Sequence, residues 1–249
     1  MKTALHSTLV LGLCVALVAC DNTATTPPPA ESPAEASAPE PLEEEVLTAD
    51  EQAALTPDEV ISALKEGNQR FTNNDLTARN HSAQVRKSTH AQYPKAIVLS
   101  CVDSRVPVED VFDRGIGDVF VARVAGNFVN EDILGSMEFA CKVSGSKLIL
   151  VMGHEHCGAV KAAIDGVELG NITPMLTNIQ PAVEATEYQG ERTSKNQEFV
   201  HEVCVNNVQN AVANIQEKSP ILKEMKDNGE IKIVGAVYDM DSGMVSFLE

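Results

Sequence analysis

Basic side chains are scarce in this sequence of 249 residues, which has 19 lysines and arginines against 36 aspartates and glutamates. The resulting formal net charge of −17 argues against nucleic-acid binding and against adhesion to anionic lipid through basic patches. Long apolar runs are lacking too, because the N-terminal stretch from Leu9 to Ala19 is too short to span a bilayer. No internal repeat is evident, so local motifs have to indicate the function.

The N-terminal residues have the features of a bacterial secretory signal. Lys2 precedes the apolar stretch, which ends in Leu17-Val18-Ala19-Cys20 and resembles a bacterial lipobox. Cleavage before Cys20 and acylation of its thiol would tether the protein to a membrane, since two or more acyl chains anchor stably. We therefore expect a signal peptide over residues 1–19, lipidation at Cys20 and a periplasmic, membrane-anchored protein. A plain signal peptide without lipidation is the alternative.

Residues 20–55 have the composition of a linker. They are rich in proline, alanine and glutamate, with few bulky apolar side chains, and so cannot offset the entropy of ordering. We predict a disordered acidic spacer there. The sequence Thr56-Pro57-Asp58-Glu59 then combines a capping threonine, a proline suited to the first helical position and a glutamate that completes a capping box. A folded domain is predicted over residues 56–249, beginning with a helix to about Phe71.

Apolar runs that alternate with helical segments predict the fold class of this domain. The unbroken runs at residues 95–100 and 147–152 suit parallel strands that are buried on both faces. Further strands are predicted around Phe120 and at residues 231–237 and 244–248, with helices at 132–144, 157–164 and about 195–217. Alternating strands and helices indicate an α/β domain. We expect about four parallel strands, an antiparallel C-terminal edge strand and flanking helices.

Two segments that follow the apolar runs carry side chains suited to zinc. Cys101 comes directly after the first run, and His154 and Cys157 come after the second. Ligands bind beyond the carboxyl ends of the strands in open α/β sheets, so these residues could meet around one ion. Three protein ligands and an open fourth position are typical of catalytic zinc. Each fragment alone is a weak signal, because a lone cysteine in an apolar run is usually a buried hydrophobe.

These residues resemble the signature of the β-class carbonic anhydrases, C-x-D-S-R followed by H-x-x-C. The matching residues are Cys101, Asp103, Ser104, Arg105, His154 and Cys157. The segments 117–127 and 158–160 also resemble the family, and the resemblance covers roughly residues 55 to 249. It implies the β-carbonic anhydrase fold, one Zn²⁺ per subunit, a homodimer or higher homo-oligomer, and a zinc lyase that hydrates CO2 reversibly to bicarbonate and a proton. Residues 56–249 would be its catalytic domain.

Asp103 and Arg105 are the expected catalytic pair. One residue separates Asp103 from Cys101, so its carboxylate can accept a hydrogen bond from the zinc-bound hydroxide that attacks CO2. The planar guanidinium of Arg105 can hold that carboxylate in place and keep it ionised. If Arg105 released it, Asp103 could displace water from zinc, as in an inactive state of some family members. Those members have an inhibitory bicarbonate site that includes a tryptophan. This sequence contains no tryptophan, which argues against that regulation.

The resemblance also implies residues that contact substrate. Gln92 resembles the family's substrate-contacting glutamine, and Phe120 and Ala125 match positions that line the apolar CO2 pocket, where family dimers can supply them from the neighbouring subunit. Gly126 is expected to allow close approach of the backbone to the site. His156 is an alternative proton relay or ligand. Two other cysteines, 141 and 204, are expected to be buried free thiols, with a disulfide between them as the alternative.

Two other functions fit the same residues. A few family members hydrolyse carbon disulfide or carbonyl sulfide, which are linear analogues of CO2. A zinc-binding or bicarbonate-binding module without turnover is the other alternative. The presence of both Asp103 and Arg105 argues against this module, because a purely structural site would close the fourth zinc position with another side chain.

Overall fold

The computed structural model describes residues 46–248. Its centre is a five-stranded sheet with the strand order β2-β1-β3-β4-β5. The strands are β1 (Ala96–Ser100), β2 (Val119–Arg123), β3 (Leu148–His154), β4 (Lys232–Tyr238) and β5 (Val245–Phe247). The first four are parallel to their neighbours, and β5 is antiparallel to β4. The predicted fold class, with four parallel strands and an antiparallel edge strand, is therefore confirmed.

The described residues also form ten α-helices, some of which pack on the two faces of the sheet. They are α1 (Ala49–Ala54), α2 (Pro57–Thr72), α3 (His81–Ser88), α4 (Val108–Val111), α5 (Glu131–Glu138), α6 (Gly158–Ile164), α7 (Ile172–Leu176), α8 (Gln180–Ala185), α9 (Gln197–Lys218) and α10 (Pro220–Asp227). None of these helices is both long and apolar enough to cross a bilayer.

The central strands are buried on both faces because alternate side chains point to opposite sides of the sheet. Ile97, Leu99 and Ile149 belong to a core with α5, α9 and α10. Val98 and Leu150 belong to a second core with α2 and α4. Every residue of β1 and β3 is buried, which is the pattern predicted from the two unbroken apolar runs.

The folded region begins earlier than the sequence analysis predicts. Residues 49–54, which the composition predicts to be part of the disordered linker, form α1, because Thr48 and Glu51 make a capping box. Gln52 in this helix is buried and donates hydrogen bonds to the carbonyl oxygens of Pro94 and Ser144, both at 2.8 Å. The signal peptide, Cys20 and the rest of the linker lie outside the described residues.

The other predicted helices are confirmed with one change. Helix α2 starts at Pro57 with the predicted capping box at Thr56 and Glu59. The helix predicted over residues 132–144 is instead α5, which is continued by a π-helical segment at Phe139–Val143. In this segment Phe139 and Val143 are exposed, and the Phe139 ring contacts that of Phe120 on the edge strand β2.

Candidate metal centre

The three predicted metal ligands meet at the carboxyl end of the sheet. Cys101 follows β1, His154 ends β3 and Cys157 follows three residues later. Because β1 and β3 are parallel neighbours, with Leu99 opposite Val151, both segments leave the sheet at the same edge. The three ligand atoms all lie within 4.8 Å of one another, and all three residues are buried.

The donor atoms fit a zinc ion. The Sγ atoms of Cys101 and Cys157 are 4.0 Å apart. The Nδ1 atom of His154 lies 2.8 Å from the carbonyl oxygen of Glu155, which assigns the ring proton to Nδ1. His154 Nε2 is buried and has no hydrogen-bond partner among the described residues, so its lone pair is available to a metal. Two sulfurs and one imidazole nitrogen are ligands that zinc prefers.

The two thiols of this group differ in how readily they ionise. The hydrogen bond with Cys157 lowers the pKa of Cys101, and burial, which raises it, does not cancel this effect. The backbone N–H of Gly126 lowers the same pKa further by donating to Cys101 Sγ at 3.3 Å. The hydrogen bond with Cys101 and burial both raise the pKa of Cys157. These effects favour ionisation of Cys101 before Cys157, and a bound zinc ion would take both cysteines as thiolates.

Asp103 and Arg105 form the expected ion pair beside the ligands. Arg105 donates from Nε to Asp103 Oδ1 at 2.9 Å, from Nη2 to Oδ2 at 2.8 Å and from its backbone N–H to Oδ1 at 3.0 Å. The side-chain hydrogen bond from Arg105 lowers the pKa of Asp103 to about 2, although partial burial acts to raise it. Asp103 Oδ2 also lies 3.9 Å from His154 Nε2. The carboxylate is thus ionised, held by Arg105 and next to the metal site.

Arg123 supports the loop that carries this ion pair, a role the sequence analysis missed. Its guanidinium donates to the carbonyl oxygen of Asp103 at 3.4 Å and to that of Val106. The strand register could have indicated it, because Arg123 lies opposite Ser100, the residue before Cys101. Arginine at the end of the neighbouring strand is therefore within reach of the loop.

Of the predicted substrate residues, the structure brings Gly126 to the ligands. Its backbone is in the left-handed region, with φ of +82°, and an added Cβ would lie 2.3 Å from Ile179 Cδ1. A glycine is therefore required where the loop contacts Cys101. Ala125 precedes it in the same loop and is half-buried.

Gln92 and Phe120 are not next to the ligands within one chain. Gln92 is exposed before the amino end of β1, whereas Cys101 follows its carboxyl end, and a strand of five residues spans about 13 Å. Phe120 lies opposite Ile97 and lines a groove between β2 and α5, with its ring centroid 6.3 Å from that of Phe139. The substrate roles of Gln92, Phe120 and Ala125 stay predictions.

His156 lies between the ligands in a left-handed backbone conformation, with φ of 57°. It lines a cavity on the β4 side together with Glu155, His201 and Asp239. His201 Nδ1 pairs with the carboxylate of Glu155. The carbonyl oxygen of the same residue accepts the hydrogen bond from the Nδ1–H of His154. The predicted relay role of His156 is not tested by this arrangement.

The other two cysteines of the folded domain are buried free thiols, as expected, and do not form a disulfide. Burial raises the pKa of Cys141 to about 12 and that of Cys204 to about 12, so both stay protonated. The thiol of Cys204 donates to the carbonyl oxygen of His154 at 3.4 Å. Cys204 therefore contacts the metal site from behind, which its position in an apolar helical pattern did not indicate.

Known proteins resemble this chain in both sequence and structure. The sequence model of the carbonic anhydrase family matches residues 96–245. Carbonic anhydrase 2 of Mycobacterium tuberculosis is 36% identical over 187 residues, which cover 73% of this chain and 87% of that protein. A Coccomyxa β-carbonic anhydrase in complex with acetazolamide has a TM-score of 0.60 at 24% identity, covering 76% of this chain and 85% of that chain. A tetrameric β-carbonic anhydrase of Sordaria macrospora has a TM-score of 0.57 at 20% identity, and the match covers 77% of this chain and 97% of that chain.

Proposed function

This chain belongs to the carbonic anhydrase family and has the β-carbonic anhydrase fold, and from that premise we propose that it hydrates CO2 reversibly to bicarbonate and a proton. The observation that carries the proposal is the ion pair of Asp103 and Arg105 next to three convergent metal ligands. A purely structural zinc site would have a fourth side chain in place of an open position.

Cys101, His154 and Cys157 would hold the zinc ion. Zinc in such a site acts as a Lewis acid that lowers the pKa of water and so supplies a nucleophile at moderate pH. The protein's own contribution begins with the tautomer of His154, which the Glu155 carbonyl fixes so that Nε2 faces the site. Burial of all three ligands excludes competing solvent from the donor atoms.

Asp103 orients the nucleophile. Its ionised carboxylate would accept a hydrogen bond from an O–H of the attacking water and so direct the lone pair of that oxygen toward CO2. Arg105 holds both carboxylate oxygens, and this two-point contact keeps Asp103 from turning toward His154 Nε2, 3.9 Å away.

Substrate selection separates this proposal from its main alternative. The experiment is stopped-flow hydration of CO2 by the purified protein with zinc content quantified, alongside assays with carbon disulfide and carbonyl sulfide. We expect chelator-sensitive turnover of CO2. Turnover of carbon disulfide or carbonyl sulfide with none of CO2 would contradict the proposal, and stoichiometric zinc with no turnover of any substrate would indicate a binding module.

The active protein is proposed to be a homodimer or a higher homo-oligomer. Strand β2 is an edge of the sheet, and its residues are only half-buried or exposed. Phe139, whose ring contacts Phe120 of β2, exposes 52% of its surface, and Val143, one turn further on the same π-helical segment, exposes 71%. An exposed edge strand next to exposed apolar side chains favours pairing with another copy. A second subunit is also the route by which Gln92 and Phe120 would reach a metal site.

A lipid anchor in the periplasm is proposed for the N-terminus. The support is the Leu17-Val18-Ala19-Cys20 sequence after a short apolar stretch. Expression in a Gram-negative host, followed by fatty-acid labelling and membrane fractionation, tests it with Cys20→Ser as the matched variant. Label and membrane association should both be lost in that variant, and a native protein that carries no label would contradict the anchor.

A further inference from the structure

The loop after β2 touches the metal site through one backbone group. The N–H of Gly126 donates to Cys101 Sγ at 3.3 Å. A hydrogen bond to a thiolate stabilises charge on the sulfur, and partners of this kind around the ligands tune how well a site holds its metal. The direction of this N–H is therefore important to the site.

Glycine does not fix that direction by itself. Gly126 lacks a side chain and adopts φ of +82°, a region in which its two flanking peptide units can turn widely. Its N–H lies in the peptide unit that precedes its Cα, and its carbonyl lies in the unit that follows. An anchor on the carbonyl side is needed to hold the loop in place.

Asn207 supplies this anchor. Its Nδ2 donates to the carbonyl oxygen of Gly126 at 2.8 Å, and its side chain is buried, with 1% exposure. The carbonyl can only accept, which assigns the amide nitrogen of Asn207 to that side. The Oδ1 atom of Asn207 has no partner among the described residues. Burying an amide with one unpaired atom costs free energy that an apolar side chain would not, and the hydrogen bond to Gly126 is a reason for an amide at this position.

The helix that carries Asn207 is itself fixed against the metal site. One turn earlier on α9, Cys204 donates to the carbonyl oxygen of His154 at 3.4 Å. A Cβ on Gly153 would lie 2.7 Å from Val208 and 2.9 Å from Cys204, so α9 packs closely on the strand that bears His154. Helix α9 therefore holds Asn207 on Gly126 while it also packs against the strand that carries His154.

We propose that Asn207 is a positioning residue of the metal centre. It holds the Gly126 peptide so that the Gly126 N–H keeps its hydrogen bond to Cys101 Sγ. The inference rests on the proposed function, because it assigns the metal to Cys101, His154 and Cys157. Asn207 is not one of the three ligands and would act through Gly126. Loss of its amide should weaken metal binding and free the Gly126 N–H without unfolding the protein.

The variants are Asn207→Asp and Asn207→Leu. Aspartate keeps the shape but has no donor for the Gly126 carbonyl, and leucine removes every polar atom at similar volume. Asn210→Asp is the matched control, because Asn210 lies one turn further on α9, is half-buried and lines a cavity together with Asn207. Three properties are measured: zinc affinity by chelator competition, amide hydrogen exchange at Gly126 in the metal-free protein, and the sulfur-to-cobalt charge-transfer band after cobalt substitution.

We expect zinc affinity to fall about 10- to 100-fold in both Asn207 variants, as is typical when a partner of a metal ligand is removed. The Gly126 amide should exchange faster and the charge-transfer band should shift, whereas Asn210→Asp should match the native protein. An Asn207→Leu protein that folds, protects the Gly126 amide and binds zinc as tightly as the control would overturn the inference.

Two further outcomes separate this failure from others. A native protein that binds no zinc would refute the proposed function and this inference together. If the native protein binds zinc but both Asn207 variants are unfolded, the role of Asn207 is structural and the inference alone is wrong.

Discussion

At the scale of single residues, one fully buried carboxylate stays ionised because several hydrogen-bond donors surround it. The side chain of Asp113 has no exposed surface and accepts from Arg70 Nε at 2.6 Å, Arg79 Nη2 at 3.0 Å and the Thr77 hydroxyl at 2.6 Å. Burial acts to raise the pKa of Asp113, but the hydrogen bonds from Thr77, Arg70 and Arg79 outweigh it and lower this pKa to about 2. The ionised form therefore stabilises the fold.

Replacing Asp113 by asparagine should lower the free energy of unfolding by about 2–3 kcal/mol at pH 7. Because the folded pKa is below the value in the unfolded chain, the stabilisation is complete above about pH 4 and is lost as the pH falls toward 2. The difference in the free energy of unfolding between the native protein and the variant should decrease as the pH falls over that range. Urea unfolding at a series of pH values measures it.

The control for this prediction is Asp110→Asn. Asp110 also pairs with Arg79, but 51% of its side chain is exposed, so its loss should cost less than about 1 kcal/mol. Equal losses in the two variants, or a difference that does not change with pH, would contradict the assignment.

At the scale of secondary-structure elements, α2 is joined to the C-terminal edge of the sheet through one side chain. Asn68 Nδ2 donates to the carbonyl oxygens of Val111 at 3.1 Å and Gly243 at 2.9 Å. Its Oδ1 accepts from the backbone N–H of Val245 at 2.9 Å. One buried amide thus connects α2, the end of α4 and the start of β5.

Asn68→Leu should destabilise the protein by about 2–4 kcal/mol, because it leaves two carbonyls and one amide without their partner. Amide exchange in β5 should rise more than exchange in β1 or β3. Gln69→Leu is the matched control, since Gln69 is exposed on the same helix and its substitution should be nearly neutral. Uniform acceleration of exchange across the whole sheet would argue against a local link.

Elements with a strong local pattern were predictable, and elements defined by distant contacts were not. Helix α2 has its capping box and its apolar positions in one short stretch. Helix α1 has the same kind of cap at Thr48, but it lies at the end of an acidic linker-like segment and is fixed by Gln52 bonding to Pro94 and Ser144. No local pattern predicts bonds that reach 42 and 92 residues along the chain.

At the scale of the whole molecule, the same distinction applies to the metal centre. Its ligands were predictable, because two buried apolar runs bring Cys101 and His154 to the same edge of a parallel sheet. The role of Asn207 was not predictable, although this residue lies in line with Val203 and Ala211 on the buried face of α9. Its polar character on that face was a signal, but its partner Gly126 is 81 residues away.

The proposed oligomer is tested by charging the apolar surface beside β2. The double variant Phe139→Glu and Val143→Glu should dissociate the native oligomer, since both side chains are exposed on the π-helical segment that contacts the edge strand through Phe139. Leu169→Glu is the control, because Leu169 exposes 62% of its surface in a different part of the fold. Sedimentation equilibrium measures the masses. A native protein that is monomeric at micromolar concentration would contradict the oligomer, as would a double variant that associates like the control.

The central claim is that Asp103 orients the nucleophile at a zinc ion held by Cys101, His154 and Cys157. The most direct test is stopped-flow CO2 hydration by the native protein and by Asp103→Asn, with the zinc content of both quantified. We predict rapid, chelator-sensitive hydration by the native protein and a rate at least about 100-fold lower in the variant at equal zinc content. Equal rates at equal zinc content would contradict the account.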